Sequence, residues 1–270
     1  EVITAKIIKA GKEVPEVWKL LLANVRTPRG NYGDLRAMIS AVDLGESRLA
    51  DLIKKYGKDT FRTTIRDLMD YSESRMRAEI SSIPDGRYEF EDVLEDDGIE
   101  DKEYTIKVTA FVQGDEVVID YTGSSPQAKG PINATLGVAY SASFNAMLHV
   151  TDESIPKNSG CFRPIRVIAP AGTIMNVNYP GSEVGGNTET HPLIVACILG
   201  AFSKASPTRV MASEGTTHGC FVFGGWDEDN YQPFGAFDFS YVGYGGRHNA
   251  DGNDATDSIN GNCGNTPTEV

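Results

Sequence analysis

The fold class this sequence predicts is α+β, with helices and strands segregated along the chain, and three observations predict it. Apolar residues recur at helical spacing from Leu35 to Ile80. They alternate with polar ones from Arg87 to Tyr121, as in a half-buried sheet. Two further apolar stretches, Asn133–Val150 and Glu189–Lys204, each follow a loop rich in glycine, and their length suits helices. The order is thus a helical hairpin, then antiparallel strands, then packed helices. A soft boundary near Gly86 separates a mainly helical segment, 1–86, from a mixed segment, 87–270.

Taken in order, Val2–Ala10 reads as a short strand, and Pro15 opens a helix with Val17, Trp18, Leu21 and Leu22 on one face, since proline suits a first turn. Asn24–Gly33 is a loop. Asp34 caps a long helix whose buried stripe is Leu35, Met38, Ile39, Val42, Leu49, Leu52, Ile53 and Tyr56, and Gly57 ends it. Asp59 starts a second helix with Phe61, Ile65, Leu68, Met69, Met76 and Ile80 on its stripe, stopped by Pro84-Asp85-Gly86. Arg87–Leu94 and Tyr104–Val112 are strands, and Gly114-Asp115 turns the second into Val117–Tyr121. Asn133 can cap a buried, small-residue helix to Val150, with His149 placed to favour the helix dipole. Arg163–Ala169, Ile174–Val177, Arg209–Ala212, Cys220–Gly224 and Gly235–Tyr241 are short strands, with the helix Glu189–Lys204 among them.

The 270 residues are 40% hydrophobic and 23% charged, enough for a sizeable core in one or two domains. No apolar run reaches the roughly 18 residues of a membrane span, and no signal peptide is evident. Cys161, Cys197, Cys220 and Cys263 are widely spaced, which fits a reducing compartment and points to the cytoplasm. A formal net charge of -13 disfavours nucleic acid and anionic membrane as partners. Nine acids against Lys102 in Glu89–Glu103 read as a solvated acidic loop.

The stretch richest in chemistry is Val117–Asn133, a strand that breaks into a Gly/Pro loop and ends at a helix start. Asp120, Ser124, Ser125, Gln127, Lys129 and Asn133 crowd this one unit, and loops on rigid scaffolds commonly carry sites. Asp120 is the acid–base candidate and Asn133 the orienting one. The alternative is a connection whose residues serve the backbone alone. Arg26, Arg29 and Asn31 can converge on phosphate or carboxylate, or neutralise the acidic runs. Gly181–Asn187 is a glycine loop before a helix, the geometry of an anion site, although Glu189 in the first turn opposes a bare anion. It lacks both the phosphate-loop and the dinucleotide-loop patterns, so ATP is not assigned to it.

The loop Asp120-Tyr-Thr-Gly-Ser-Ser-Pro-Gln127…Gly130-Pro-Ile-Asn133 resembles a signature of the hydantoinase B / oxoprolinase family. So do Asn24-Val-Arg26-x-Pro28, Gly33-Asp34-Leu35-Arg36-Ala37, Ile83-Pro84-Asp85-Gly86, Pro156-x-Asn158-x-Gly160, Gly185-Gly186-Asn187-Thr188-Glu189, Asp251-Gly252 and Asn265-Thr266-Pro267-x-Glu269, in order along the chain. The family's His- and Asp-rich N-terminal segment has no counterpart before Asn24, so the chain reads as a middle-to-C-terminal portion of a larger subunit. The resemblance implies a subunit of an ATP-dependent amidohydrolase that opens a cyclic amide, of hydantoin or 5-oxoproline type. A hydantoinase A-like ATPase partner, carrying ATP and Mg, would first activate that small-molecule substrate, giving a hetero-oligomer. Related acetone and acetophenone carboxylases offer a second reading, and a non-catalytic scaffold a third. The residues it suggests are Asp120, Gln127 and Asn133 for catalysis, with Arg26, Ser125, Asn187 and Glu189 for substrate.

A divalent metal is conceivable, but no ligand set is evident. The histidines His149, His191, His218 and His248 show no i+3 or i+4 pairing, and Asp251-Gly-Asn253-Asp254…Asp257 departs from a calcium loop at Ala255. Glu214-Gly-Thr-Thr-His218-Gly-Cys220 gathers an acid, an imidazole and a thiol, with Thr216, His218 and Cys220 on one strand face and Cys220 a buried thiol.

Overall fold

The computed structural model describes residues 5–217, 219–229 and 231–261. The expected reading of His218, Cys263 and the Asn265–Glu269 motif lies outside the described residues. The elements run β1 (Ile8–Lys9), β2 (Lys12–Glu13), α1 (Pro15–Ala23), α2 (Pro28–Tyr56), α3 (Lys58–Ser81), β3 (Gly86–Leu94), β4 (Tyr104–Gln113) and β5 (Glu116–Asp120). Then come α4 (Leu136–Val150), β6 (Ile165–Ile168), α5 (Thr190–Phe202), β7 (Cys220–Asp227) and β8 (Gln232–Phe239). The chain divides into two compact units, Glu1–Thr64 with Phe221–Asp238, and Ile65–Cys220 with Phe239–Val270. This is the mixed helix-and-strand class that the periodicities predict.

In the first unit, β1 pairs antiparallel with β2, and α1 follows with Pro15 at its first turn. Trp18 is buried and its ring tilts against Tyr32 at 5.3 Å. The long helix α2 starts at Pro28 rather than after Asp34, because proline at the first position tolerates the missing N–H and Gly30 and Gly33 do not stop it. Asp34 is therefore interior, not a cap. Gly57, at φ 81°, closes α2 by donating its N–H to Ile53 O. The stripe expected to be buried is open: Met38 is 65% exposed and Val42 70%, and Leu49, Leu52 and Tyr56 are exposed with them. Helical spacing reports which residues share a face, not whether anything covers it. The strands β7 and β8 pair with one another; β7 runs on past the expected stretch to Asp227, and β8 begins earlier than expected but ends at Phe239, short of Tyr241.

The second unit holds the core. Its sheet has the order β3-β4-β5-β6, antiparallel across the first three strands and parallel between β5 and β6. Ile106, Val108, Ala110, Val117, Ile119, Tyr121, Ile165 and Val167 are buried and fall on one face by register. On that face lie α4 and α5, packed on each other, with α5 over β3 and β4. The helix α5 is buried almost all round, including Leu193, Ile194, Ile198 and Phe202. By contrast α4, expected to be fully buried, leaves Leu136 and Tyr140 exposed and buries the small side, Ala139, Ala142, Ser143 and Ala146. Small residues there let the helix approach closely, and Ser143 Oγ lies 2.6 Å from the Tyr121 hydroxyl.

The C-terminal half of α3 completes this unit, burying Ser72, Met76 and Ile80. Its stripe opens towards the N-terminus, where Ile65 and Leu68 are exposed. Asn158 Nδ2 donates to Ser72 Oγ at 2.8 Å, and Arg163 reaches both Asp70 and Glu73 at 2.8 Å. Arg75 likewise bonds Tyr71 and Asp152, at 2.7 and 2.6 Å. Asp70, Tyr71 and Arg75 of α3 thus join the segment from Asp152 to Arg163, which includes the Pro156–Gly160 loop, in one docking arrangement. Two expected strands do not form. Ile174–Val177 contributes only the tight Thr173–Asn176 bridge, and Arg209–Ala212 only the Met211–Arg247 bridge. Among the described residues, no helix is long and apolar enough to cross a membrane.

Candidate functional site

The loop 121–135 leaves the carboxyl end of β5 beside the carboxyl end of its parallel neighbour β6, where Tyr121 N–H bonds Ile168 O at 2.9 Å. Crossovers at such strand ends are where open sheets leave room for ligands. What the loop does with its polar side chains is mostly internal. Asp120 Oδ1 accepts from its own loop, from Thr122 N–H at 2.8 Å. Ser124 Oγ accepts from Lys107 N–H at 3.0 Å, and Ser125 Oγ from Thr105 N–H at 2.9 Å. The Ser-Ser pair thereby continues the pairing of β4 after β5 has ended. Gln127 Oε1 accepts from Asn178 N–H at 2.9 Å.

Asn133 is completely buried and is not a helix cap. The cap of α4 is Thr135, whose hydroxyl accepts from Val138 N–H, so the helix begins at Leu136. The Asn133 amide instead ties the loop together. Its oxygen accepts from Ala128 N–H at 2.7 Å, and its nitrogen donates to Ala128 O, Gly130 O and Ser182 O at 3.0, 3.1 and 2.7 Å.

A second anchor comes from the acidic run expected to be a solvated loop. Asp97 in that run is buried, and its carboxylate accepts from Ile99, Glu100 and Gly130 N–H and from the Tyr104 hydroxyl. Those donors, the Glu100 N–H foremost, hold its pKa well below the usual carboxylate range. The same contact needs glycine at 130, because a Cβ there would overlap the Asp97 carbonyl oxygen. Lys129 pairs with Glu100 alongside.

The Gly181–Asn187 loop lies directly on this one. Gly185 N–H donates to Pro131 O at 2.6 Å, Thr190 Oγ1 donates to Ile132 O, and Gly186 sits so close to the Asn133 carbonyl that no Cβ fits. Several amides there are engaged, Gly181 N–H on Asn178 O and Gly186 N–H on Glu183 O, and Glu189 N–H turns onto Gly185 O. A bare anion would find few free donors there.

The other end of the Gly-Gly-Asn loop meets a polar cluster. Asn260 Nδ2 donates to Asn187 O. Glu214 Oε1 accepts from Ser258 Oγ and from Ile259 N–H, both at 2.8 Å, while Asn145 Nδ2 from α4 holds Ile259 O at 2.9 Å. Glu214 Oε2 and Asn260 Oδ1 are buried and lack a partner among the described residues. Buried polar atoms are rarely left this way without a role. Burial, and then the Glu214 carboxylate, raise the pKa of the neighbouring Tyr244. Sequence reasoning named Glu214 only as part of a Cys–His stretch and gave Asn145, Ser258 and Asn260 no site role. Cys220 is exposed, not buried, and Thr216 has φ 53°, so no strand carries them on one face. Partial desolvation by the surrounding protein, and then Glu189, raise the pKa of the Cys220 thiol.

Other predicted site residues stand apart. Arg26 belongs to the first unit, where it lines a groove with Arg29 and with Gln232 and Phe234 of β8. His149 ends α4, but the protein around it disfavours the imidazolium and lowers its pKa, against what the helix dipole alone would do. Among the described residues, no three His, Cys, Asp or Glu side chains converge to hold a metal ion.

Comparison with known proteins bears on the same motifs. The family model for hydantoinase B/oxoprolinase matches residues 2–270. This chain belongs to that family. The hydantoinase B-type chain is 33% identical to the B-type chain of a putative D-/L-hydantoinase from Pseudomonas sp. (strain NS671), over 98% of its own length and 46% of that protein's. It is 32% identical to the β chain of the caprolactamase of Pseudomonas jessenii, over 81% of its length and 38% of the relative's. It therefore spans less than half of these relatives. Its fold matches the crystal structure of the ATP-dependent caprolactamase from Pseudomonas jessenii with a TM-score of 0.85 and 27% identity, over 96% of this chain and 45% of that one. An acetone carboxylase structure matches at 0.87 and 16% identity, over 97% and 37%, a likeness of fold alone.

His191, two residues after the Gly-Gly-Asn-Thr-Glu stretch, is buried with Nδ1 lacking a partner among the described residues, and burial lowers its pKa from 6.5 to about 4. Between those values the unfolded chain takes up a proton that the native ring refuses, so stability falls as pH drops from 6.5 towards 4. Urea midpoints at pH 7.5, 6 and 5 are expected to show this slope in the native sequence and a shallower one in His191→Asn. Equal slopes would locate the acid sensitivity elsewhere.

Proposed function

We propose that this chain is the middle-to-C-terminal part of a subunit of an ATP-dependent amidohydrolase that opens a cyclic amide of hydantoin, 5-oxoproline or caprolactam type. A hydantoinase A-like partner would carry ATP and Mg and activate the substrate. The observation that carries the reading is the polar cluster at Asn187, Glu214, Ser258 and Asn260, where a carboxylate oxygen and an amide oxygen are buried with no partner among the described residues. Ring opening by water needs a proton acceptor and groups that fix the amide, and a carboxylate beside an amide supplies both. Glu214 would take the proton, with Asn260 and Asn187 orienting the substrate and Glu189 at the rim. The sheet-end loop, through Asp120, Ser125, Gln127 and Asn133, would hold the Gly181–Asn187 loop in place rather than touch the reacting bond. Arg26 would hold an acidic group in the first unit's own groove, with Arg29, Gln232 and Phe234.

Reconstitution of the complete subunit with its partner tests this. ATP hydrolysis is expected to be stimulated by at least one of hydantoin, 5-oxoproline or ε-caprolactam, with one ring opened per ATP consumed. Stimulation by acetone or acetophenone instead would place the subunit with the ketone carboxylases. Stimulation that persists when the part represented by this chain is deleted would leave it a scaffold.

A further inference from the structure

One cavity of the second unit plays no part in the reading above. It has a volume of about 580 Å³ and is lined from the end of α4, from 151–157, from 208–211 and from 244–253. That volume is in the range of small-molecule sites. Its charge runs against that of the chain. The whole sequence has 25 Lys and Arg against 38 Asp and Glu, yet Lys157, Arg209 and Arg247 line the cavity against Glu153 alone, together with His149 and His248.

The cations differ in what they already hold. Arg209 is partly neutralised by Glu79 at 3.2 Å, and Lys157 donates to the Glu153 carbonyl oxygen. Arg247 is fixed through its backbone, which bonds Ala250 O at 2.8 Å, but its guanidinium has no partner among the described residues. Neither has the His248 imidazole. Asn249 and Asn253 add amide donors to the same wall. A guanidinium fork and neighbouring N–H donors on the wall of a concave space match the oxygens of a phosphoryl or carboxylate group.

We infer that this cavity binds a small molecule through a phosphoryl or carboxylate group held by Arg247, with Arg209, His248 and Asn249 around it. This site is independent of the amide-opening reading, since its test needs neither partner nor turnover.

The whole chain is titrated calorimetrically at low ionic strength with inorganic phosphate and, separately, with acetate. Saturable binding of one or both is expected, with phosphate tighter if the natural group is phosphoryl and acetate at least equal if it is a carboxylate. Arg247→Met should weaken binding at least tenfold. Because that guanidinium has no partner to lose among the described residues, the variant should melt as the native protein does. Arg163→Met, whose side chain is engaged with Asp70 and Glu73 outside the cavity, should bind as the native chain does. Absence of saturable binding by either anion would overturn the assignment, as would equal affinity in Arg247→Met and the native chain, or equal losses in Arg247→Met and Arg163→Met.

Discussion

Asn133→Ala is expected to lower the unfolding free energy by roughly 3–5 kcal/mol, the range in which several buried groups lose partners at once. Alanine leaves the Ala128 N–H and the carbonyls of Ala128, Gly130 and Ser182 without the amide that now joins them. Because Asn133 is wholly buried, water cannot substitute freely. Asn133→Asp should do no better, since a carboxylate keeps the acceptor for Ala128 N–H but faces three carbonyl oxygens with no hydrogen to offer. The expected reading is a lower urea midpoint with an unchanged m-value. If the midpoint hardly moved while the reconstituted enzyme lost turnover, Asn133 would be working on the substrate, and the loop would be the reaction site.

Glu214→Gln in the reconstituted enzyme is expected to reduce turnover about 100-fold, or about 2.7 kcal/mol of transition-state stabilisation, the usual scale for losing a general base. Glutamine is nearly isosteric, and its Oε1 can still accept from Ser258 Oγ and Ile259 N–H, so melting should change little. The change removes only the basic oxygen, the one now buried without a partner among the described residues. Full turnover in this variant would remove Glu214 from the chemistry. A fall in melting temperature with unchanged turnover per folded enzyme would make it a clamp on the 257–260 segment.

These two expectations separate what the Gly-Ser-Ser…Asn signature and the Glu214 cluster each do, and the sequence could not. The loop was legible from its composition: a strand, then Gly and Pro, then polar side chains at a helix start. Its inward turn was not, because the partners of Asn133 are backbone groups from two loops that are 49 residues apart at Ser182. Asp97 was hidden for the same reason. Its neighbours Asp96 and Asp101 are exposed, and only the approach of Gly130 turns one acid of the run into a buried anchor.

By itself the sequence determined the period of each element, and with it the class. Alternation from Tyr104 to Tyr121 obliges one face of a sheet to be apolar, and the apolar run of α5 obliges that helix to be buried wherever it lies. Its ordered motifs also determined the family. What only the tertiary structure decided is which faces are covered and which polar groups are spent. The stripe of α2 obeys helical spacing as faithfully as α5 obeys burial, yet Val42 is open to solvent. Spacing is a local property of backbone geometry, whereas burial and hydrogen-bond satisfaction depend on partners brought from elsewhere in the chain. Glu214 and Asn260 came together, each with an oxygen that has no partner among the described residues, because the 257–260 segment returns onto α4 and the Gly-Gly-Asn loop, a contact that no local pattern encodes.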